Sequence, residues 1–220
     1  MESRSEPLSK IRLDLKREGA YATVDFDVSQ GGKWQDNGFK PVQVNIFSSG
    51  DQLPFKDATL DYVLSSQVIE HFFDLMQALL EWHRGIRKGG YVFVVVPHKD
   101  RTFDKDREVT PLRELVDRHD GRLKISDYAY PGPDAKEPLQ LLVGKDHAAI
   151  AMTHRLIGTN SPPPGWVRFS EDDHHHWSVW QTDGFLELCH HLNLKVLEYQ
   201  DPDDKVGNGF SVVMTHPTTT

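Results

Sequence analysis

The clearest pattern in the chain is a stretch of helical spacing between two apolar runs. Residues 90–97 (GYVFVVVP) are continuously β-branched and aromatic, which predicts a central strand buried on both faces. Residues 60–66 (LDYVLSS) predict a second strand. Between them, apolar side chains recur at helical spacing from Val68 to Ile86, and two glycines follow. Two strands linked by a helix predict a parallel β-α-β unit and therefore an α/β fold.

Weaker apolar segments extend this pattern towards the start of the chain. Strands are predicted over residues 11–15, 21–26 and 42–47. Together with the strands described above and below, they make the predicted fold a Rossmann-like, seven-stranded, mostly parallel sheet.

The last forty residues predict a helix followed by a hairpin. Thr182 is the predicted cap of a helix over residues 183–192. Residues 195–199 and 210–215 then predict a C-terminal antiparallel hairpin that closes the sheet. We expect a single domain over residues 1–220.

A long segment, residues 98–181, differs from the rest in composition. It is highly charged, carries a run of three prolines at 162–164, and contains one predicted helix at 111–119. Long insertions of this kind usually act as lids or binding segments. This one follows the carboxyl end of the best predicted strand, where ligands bind in open α/β sheets. We therefore predict a lid and substrate-binding insertion.

The net charge and the cysteine content limit the kinds of partner and the compartment that are expected for the protein. The formal net charge is −8, which disfavours nucleic acid and anionic membrane surfaces. The single cysteine, Cys189, excludes a disulfide framework and fits a reducing compartment, so a cytoplasmic location is expected. The predicted partner is a small-molecule substrate, and a homodimer is left open. The chain also has 12 histidines, so its charge depends strongly on pH.

Two segments carry a family resemblance. Residues 50–71 (GDQLPFKDATLDYVLSSQVIEH) and 78–91 (ALLEWHRGIRKGGY) resemble class I S-adenosylmethionine-dependent methyltransferases of the methyltransferase type 11 kind. Several linked motifs occur in the family's order, and the C-terminal helix and hairpin fit its last elements. The resemblance implies S-adenosylmethionine as the cofactor.

The resemblance also implies a set of cofactor-binding residues. Asp51 and Gln52 would flank the adenine, Ser66 and Gln67 would border the sulfonium side, and His71 would face the pocket from the start of a helix. Asp25 or Asp27 would be the acid that binds the ribose.

One motif departs from the family's pattern. The family's first strand ends in a glycine-rich loop, whereas here Lys16 and Arg17 follow the predicted first strand and only Gly19 is near. The loop and its helix are expected to be shortened to almost nothing. An alternative register uses Gly31 and Gly32, or Gly38, as the flexible backbone.

Histidines are the candidate catalytic residues. Methyl transfer to a hydroxyl or an amine needs a proton acceptor, and an imidazole suffices. His98 directly follows the central strand, and Asp100 or Asp104 could orient it. His71 is the second candidate. Arg101 is a candidate for binding an anionic acceptor.

The densest polar feature is residues 171–180 (EDDHHHWSVW). His174, His176, Trp177 and Trp180 are predicted to line the acceptor pocket, because imidazoles and aromatic faces suit a sugar or a heteroaromatic ring. Core packing is the alternative for the tryptophans. No metal is predicted, although His174 and His176 could ligate a divalent ion together with Asp172.

The predicted function is methyl transfer from S-adenosylmethionine to a hydroxyl or nitrogen of a small acceptor, either a saccharide or a heterocyclic metabolite. The first alternative is a non-catalytic relative that has lost cofactor binding and acts as an assembly partner. A metal-dependent hydrolase or lyase that uses the histidine cluster is the second.

Overall fold

The structure is a computed structural model. It describes residues 10–16, 19–23, 46–131, 154–155, 161–162, 164–169, 176–204 and 207–216. The strands described are β1 (Lys10–Lys16), β2 (Gly19–Thr23), β3 (Ile46–Ser49), β4 (Leu60–Ser66), β5 (Ile86–Pro97), β6 (Tyr128–Pro131), β7 (His154–Arg155), β8 (Trp166–Arg168), β9 (Lys195–Gln200) and β10 (Gly209–Thr215). The α-helices described are α1 (Leu75–Gly85), α2 (Leu112–His119) and α3 (Thr182–His191).

The main sheet has four strands in the order β4-β5-β10-β9. β4 and β5 pair directly in parallel, and α1 connects them along the chain. This confirms the predicted β-α-β unit. β10 is antiparallel to both β5 and β9, which confirms the C-terminal hairpin. The fold is α/β. The prediction of seven mostly parallel strands needs correction for the described residues, because their main sheet contains a single parallel pair.

The N-terminal strands form a separate antiparallel sheet in the order β2-β1-β3. Lys16 pairs directly with Gly19, so two residues connect β1 to β2. A parallel connection needs a crossover of a dozen residues or more, and two residues permit only a hairpin. The shortened first loop is therefore confirmed, while the parallel arrangement predicted for these strands is wrong.

One apolar core fills the space between the main sheet and its helices. α1 and α3 contribute Leu79, Trp82, Phe185 and Leu188, all fully buried. Burial alternates along β5: Val92, Val94 and Val96 are fully buried, and the residues between them are half-buried. β5 was predicted to be buried on both faces, and the structure buries only one face completely.

A second, smaller core lies under the sheet β7-β6-β8, within the predicted lid insertion. Tyr128, Phe169 and Trp177 are its buried members, and Phe73 packs against them. No α-helix in the described part of the chain is long and apolar enough to cross a membrane.

Two helix starts differ from the predictions. Thr182 is the first residue of α3 and not its cap, because its hydroxyl donates to the carboxylate of Asp201. His71 belongs to a short 3-10 turn, Ile69–His71, that precedes α1. α1 itself is capped by Asp74, whose carboxylate accepts the Gln77 N–H at 3.0 Å.

Candidate functional site

The carboxyl ends of β4 and β5 lie side by side, since Ser66 pairs with Val95. The chain leaves β4 through the turn Ile69–His71 and leaves β5 at His98. A third segment, residues 176–180, is fixed to both exits. The Trp177 N–H donates to the Glu70 carbonyl at 2.7 Å, and the Lys99 N–H donates to the Trp180 carbonyl at 2.8 Å. This edge of the sheet therefore collects polar side chains from three distant parts of the chain.

The most unusual group at this edge is Glu70. Its side chain is fully buried, and neither carboxylate oxygen has a hydrogen-bond partner. Its Oε1 lies 3.9 Å from His71 Nε2 and 3.9 Å from His176 Nε2. Burial raises the pKa of Glu70 to about 7, and the nearby His176 opposes part of that rise. A neutral or charged Glu70 is thus accessible near physiological pH.

His176 is held by a carboxylate on its other side. Its Nδ1 lies 2.6 Å from Asp104 Oδ2, and Arg107 donates to the second oxygen of Asp104 at 2.8 Å. Burial alone would raise the pKa of Asp104, but the bond to His176 and the charges of His176 and Arg107 outweigh it and lower that pKa. Asp104 is therefore an anion that orients His176, and not His98 as one alternative in the sequence had it.

His98 occupies the exit of β5, as predicted from the sequence. The backbone N–H of His98 donates to the Asn208 carbonyl at 3.0 Å. The ring Nδ1 accepts the backbone N–H of Asp100 at 3.2 Å. The neutral ring then carries its proton on Nε2. Burial, followed by the charge of Arg101, lowers the pKa of His98, so the ring stays neutral near pH 7.

Arg101 connects the exit of β5 to the loop between β9 and β10. Its guanidinium donates to the Asp201 carboxylate and, at 2.9 Å, to the Gly209 carbonyl. Its charge is thus already paired in this structure. Its Nε is buried without a hydrogen-bond partner, and the predicted role in binding an anionic acceptor stays a prediction.

The loop that carries Asp51 and Gln52 is anchored to α1. Glu81 accepts the Leu53 N–H at 2.7 Å, and the Trp82 indole donates to the Gly50 carbonyl at 2.7 Å. Asp51 is half-buried and accepts a hydrogen bond from the Ser49 hydroxyl, whereas Gln52 is exposed. A helix inside the β-α-β unit therefore positions the predicted adenine-binding residues.

The two predicted pocket tryptophans lie in apolar cores. Trp180 is 1% exposed and its ring packs edge-on against Phe185 in the main core. Trp177 contacts Phe73 and Tyr128 in the second core. The structure thus favours the core-packing alternative for both, and substrate contact by either stays a prediction.

The remaining site residues divide into two groups. Ser66 and Gln67 lie at the carboxyl end of β4 as predicted, whereas Asp25, Asp27 and His174 lie outside the described residues. The structure brings His71 and His176 together, with ring centroids 4.9 Å apart. Sequence reasoning treated Glu70 as a helix-terminal acid and did not anticipate its place beside His176, because no local pattern joins positions so far apart in the chain.

Comparisons with known proteins agree with the order of these elements. Residues 9–94 match the family model described as Methyltransferase domain. That match covers β4, α1 and most of β5, together with the turns that carry Asp51 and Glu70. It confirms the resemblance to S-adenosylmethionine-dependent methyltransferases and S-adenosylmethionine as the cofactor of that family.

One curated relative and several solved structures are similar to the chain. A Mycolicibacterium smegmatis protein described as a "Probable S-adenosylmethionine-dependent methyltransferase" is 43% identical over 67 residues, which are 30% of this chain and 25% of the relative. This chain therefore matches only a quarter of that relative's length.

Among solved structures, the PH0226 protein of Pyrococcus horikoshii OT3 is 19% identical with a TM-score of 0.36, over 86% of this chain and 65% of that one. An S-adenosylmethionine-dependent methyltransferase of Clostridium acetobutylicum is 10% identical with a TM-score of 0.41, over 89% and 74%.

Among the described residues, the side chain of Gln67 is a clear candidate for binding S-adenosylmethionine. Gln67 has a positive φ of 55°, and its side-chain Nε2 is buried without a partner. It sits beside Gly209, where an added Cβ would lie 3.1 Å from that nitrogen. A buried donor at the carboxyl end of β4 fits an oxygen acceptor such as the carboxylate of the cofactor's methionine portion.

Proposed function

We propose that the protein transfers a methyl group from S-adenosylmethionine to a hydroxyl or nitrogen of a small acceptor, either a saccharide or a heterocyclic metabolite. One observation carries this proposal. The methyltransferase-domain match falls on the parallel β4-α1-β5 unit, and the polar groups of the site gather at the carboxyl ends of those strands.

In this function the cofactor supplies an already activated methyl group. The protein's own residues position and desolvate the reactants. Gln67 and Ser66 would bind the methionine portion, and Asp51 and Gln52 would bind the adenine from a loop fixed to α1. Asp25 or Asp27 would bind the ribose.

Removal of a proton from the acceptor requires a neutral imidazole, and His98 provides one near pH 7. With Nδ1 accepting from the Asp100 N–H, the ring offers its Nε2–H as a donor that orients an acceptor oxygen or nitrogen. His98 becomes a base only when that hydrogen bond opens. The general-base roles of His98 and His71 stay predictions, as does acceptor binding by Arg101, His174, His176, Trp177 and Trp180.

Cofactor binding is the direct test. Calorimetry with S-adenosylhomocysteine should show one site per chain at micromolar affinity, and Asp51→Ala should weaken binding at least tenfold by removing the adenine contact. The matched control is Asp61→Ala, because this exposed acid lies at the opposite end of β4 and pairs only with Arg87 in the contacts described. Absence of binding at millimolar S-adenosylhomocysteine would contradict the proposed methyltransferase activity.

One specific observation favours the non-catalytic alternative. The connection of β1 to β2 by two residues leaves no glycine-rich loop between those strands. A folded chain that binds no S-adenosylhomocysteine would support an assembly role instead. The lid function of residues 98–181, the homodimer and the cytoplasmic location stay predictions.

A further inference from the structure

Three side chains converge at the carboxyl edge without any hydrogen bond among them that would explain their convergence. One ligand atom each from Glu70, His71 and His176 lies within 4.8 Å of the other two. Glu70 Oε1 is equidistant from the two imidazole Nε2 atoms, at 3.9 Å. That distance is too long for a hydrogen bond. Two ligands that share one tetrahedral ion at bonds of about 2.1 Å lie about 3.4 Å apart, so small side-chain shifts of about half an ångström or more would bring these three groups into coordination.

Burial makes the arrangement costly as it stands. The Glu70 side chain is fully buried, and both of its carboxylate oxygens are removed from water and without a hydrogen-bond partner. A buried carboxylate without hydrogen bonds is strongly unfavourable in general, so native proteins usually pair such a group or let it bind a metal. The described groups nearest to its Oε1 in ion-pair range are the two imidazole Nε2 atoms.

The surroundings of His176 match those of a metal-binding histidine. Asp104 is hydrogen-bonded to Nδ1 at 2.6 Å, and Arg107 in turn fixes Asp104. An anionic Asp104 keeps the proton of a neutral His176 on Nδ1, so the lone pair of Nε2 points towards Glu70. A carboxylate that holds the far nitrogen of a ligating histidine is the common outer partner in zinc sites.

We propose that Glu70, His71 and His176 bind a divalent transition-metal ion of the Zn²⁺ class, and that Asp104 is the residue that positions His176. Two imidazoles and one carboxylate are a ligand set that such ions prefer. This site differs from the ion site that the sequence left open, because its acid is Glu70 and not Asp172.

Three protein ligands leave at least one coordination position for water or for an oxygen of a bound molecule. His71 is the partly exposed member, with 14% of its side chain accessible, so the open position would face the surface on that side. A His71 that binds an ion cannot also accept a proton, and the ion would replace its predicted role as a base. The binding itself does not depend on the proposed methyl transfer.

The test is titration of the full-length, untagged, chelator-treated protein with Zn²⁺ by calorimetry, and with Co²⁺ by visible absorption. We expect one ion per chain with a micromolar or lower Kd. Glu70→Gln and His176→Gln should each weaken binding at least a hundredfold. Asp104→Asn should weaken it about tenfold through the tautomer of His176.

The matched control is His190→Gln, which removes an exposed histidine of α3 and should leave the Kd unchanged. Circular dichroism checks that each variant folds. Should Glu70→Gln not fold, His71→Gln takes its place, because its partly exposed ring is replaced at lower cost.

Two results would overturn the proposal. The first is no stoichiometric binding at 0.1 mM Zn²⁺, on the order of a hundred times the expected Kd. The second is binding that survives both His71→Gln and His176→Gln, which would assign the ion to other histidines. Either result can occur whether or not S-adenosylhomocysteine binds, so the two proposals fail separately.

Discussion

His83 shows how one buried residue makes stability depend on pH. It lies on α1, where it is 5% exposed, and its Nδ1 is 3.0 Å from the Leu79 carbonyl. Burial, and to a lesser extent the charge of His216, lower its pKa below the usual 6.5. An unfolded chain takes up this proton at the ordinary pKa, whereas the folded chain resists it. Acid therefore favours unfolding.

We predict that His83→Leu reduces the loss of stability at low pH. The stability that a neutral His83 maintains is complete above pH 6.5 and falls as the pH drops through the lower, folded pKa. Urea unfolding at several values between pH 5 and 7.5 measures this dependence. His190→Leu, at an exposed position of α3, should retain the wild-type slope. Equal slopes for His83→Leu and wild type would contradict the prediction.

At this scale the sequence could predict positions but not partners. His71, His98 and His176 were placed at the sheet edge because strand ends and loops can be located from the pattern. The pairing of His176 with Asp104 could not be predicted, because it depends on how the segment around residue 176 folds back across the sheet. The same applies to Arg101, whose partner Asp201 lies a hundred residues further along.

At the scale of the elements, β10 lies very close to β5 at Gly209. A Cβ at this position would lie 2.4 Å from the Val96 carbonyl oxygen, which belongs to rigid strand backbone. The Gly209 N–H also donates to Asp203 at 3.0 Å, so the strand cannot simply move away. Only glycine allows this start of the hairpin.

We predict that Gly209→Ala destabilises the protein by about 1–3 kcal/mol, because the strands must separate to admit the methyl group. Gly184→Ala is the matched control. Gly184 lies within α3, and a Cβ added there would be 3.9 Å from its nearest neighbour, a methyl group of Val109. There the change should stabilise by up to about 1 kcal/mol through helix propensity. Thermal unfolding measures both. A Gly209→Ala variant as stable as wild type would refute the close approach.

The elements from β4 onwards were largely predictable where each has a strong local pattern. α2, β4, β5 and the β9-β10 hairpin lie within a few residues of their predicted bounds, and α1 ends as predicted but begins at Leu75 rather than at Val68. The pairing of the N-terminal strands was wrong because family order was assumed where the connection has only two residues. The exit of β4 was mistaken for helix because Val68 and Phe72 share the helical spacing, yet Asp74 caps α1 later.

Across the whole molecule, Arg118 contacts several elements that are distant in sequence. Its side chain is buried on α2 and stacks over Phe73 and Tyr128 at 5.1 and 5.0 Å. It donates to the Trp177 carbonyl at 3.1 Å and to Glu114. One guanidinium thus connects the second core, α2 and the segment that carries His176.

We predict that Arg118→Leu lowers the free energy of unfolding by about 3 kcal/mol or more, because it leaves the buried Trp177 carbonyl without its donor and removes the cation that pairs with Glu114. Arg113→Leu is the matched control on the same helix. Its side chain is 79% exposed beside Asp117, and its loss should cost at most about 1 kcal/mol. Urea denaturation measures the free energy of unfolding of both variants. Equal losses would show that the contacts of Arg118 contribute no more to stability than those of Arg113.

The bond from the Trp177 N–H to the Glu70 carbonyl has a consequence for the order of assembly. It closes a loop of more than a hundred residues, whereas β4, α1 and β5 contact one another within about forty. Contacts between distant positions form slowly. We therefore expect β4, α1 and β5 to contact one another before the segment around residue 177 reaches Glu70. On this expectation, the burial of the Glu70 carboxylate is a late step of folding.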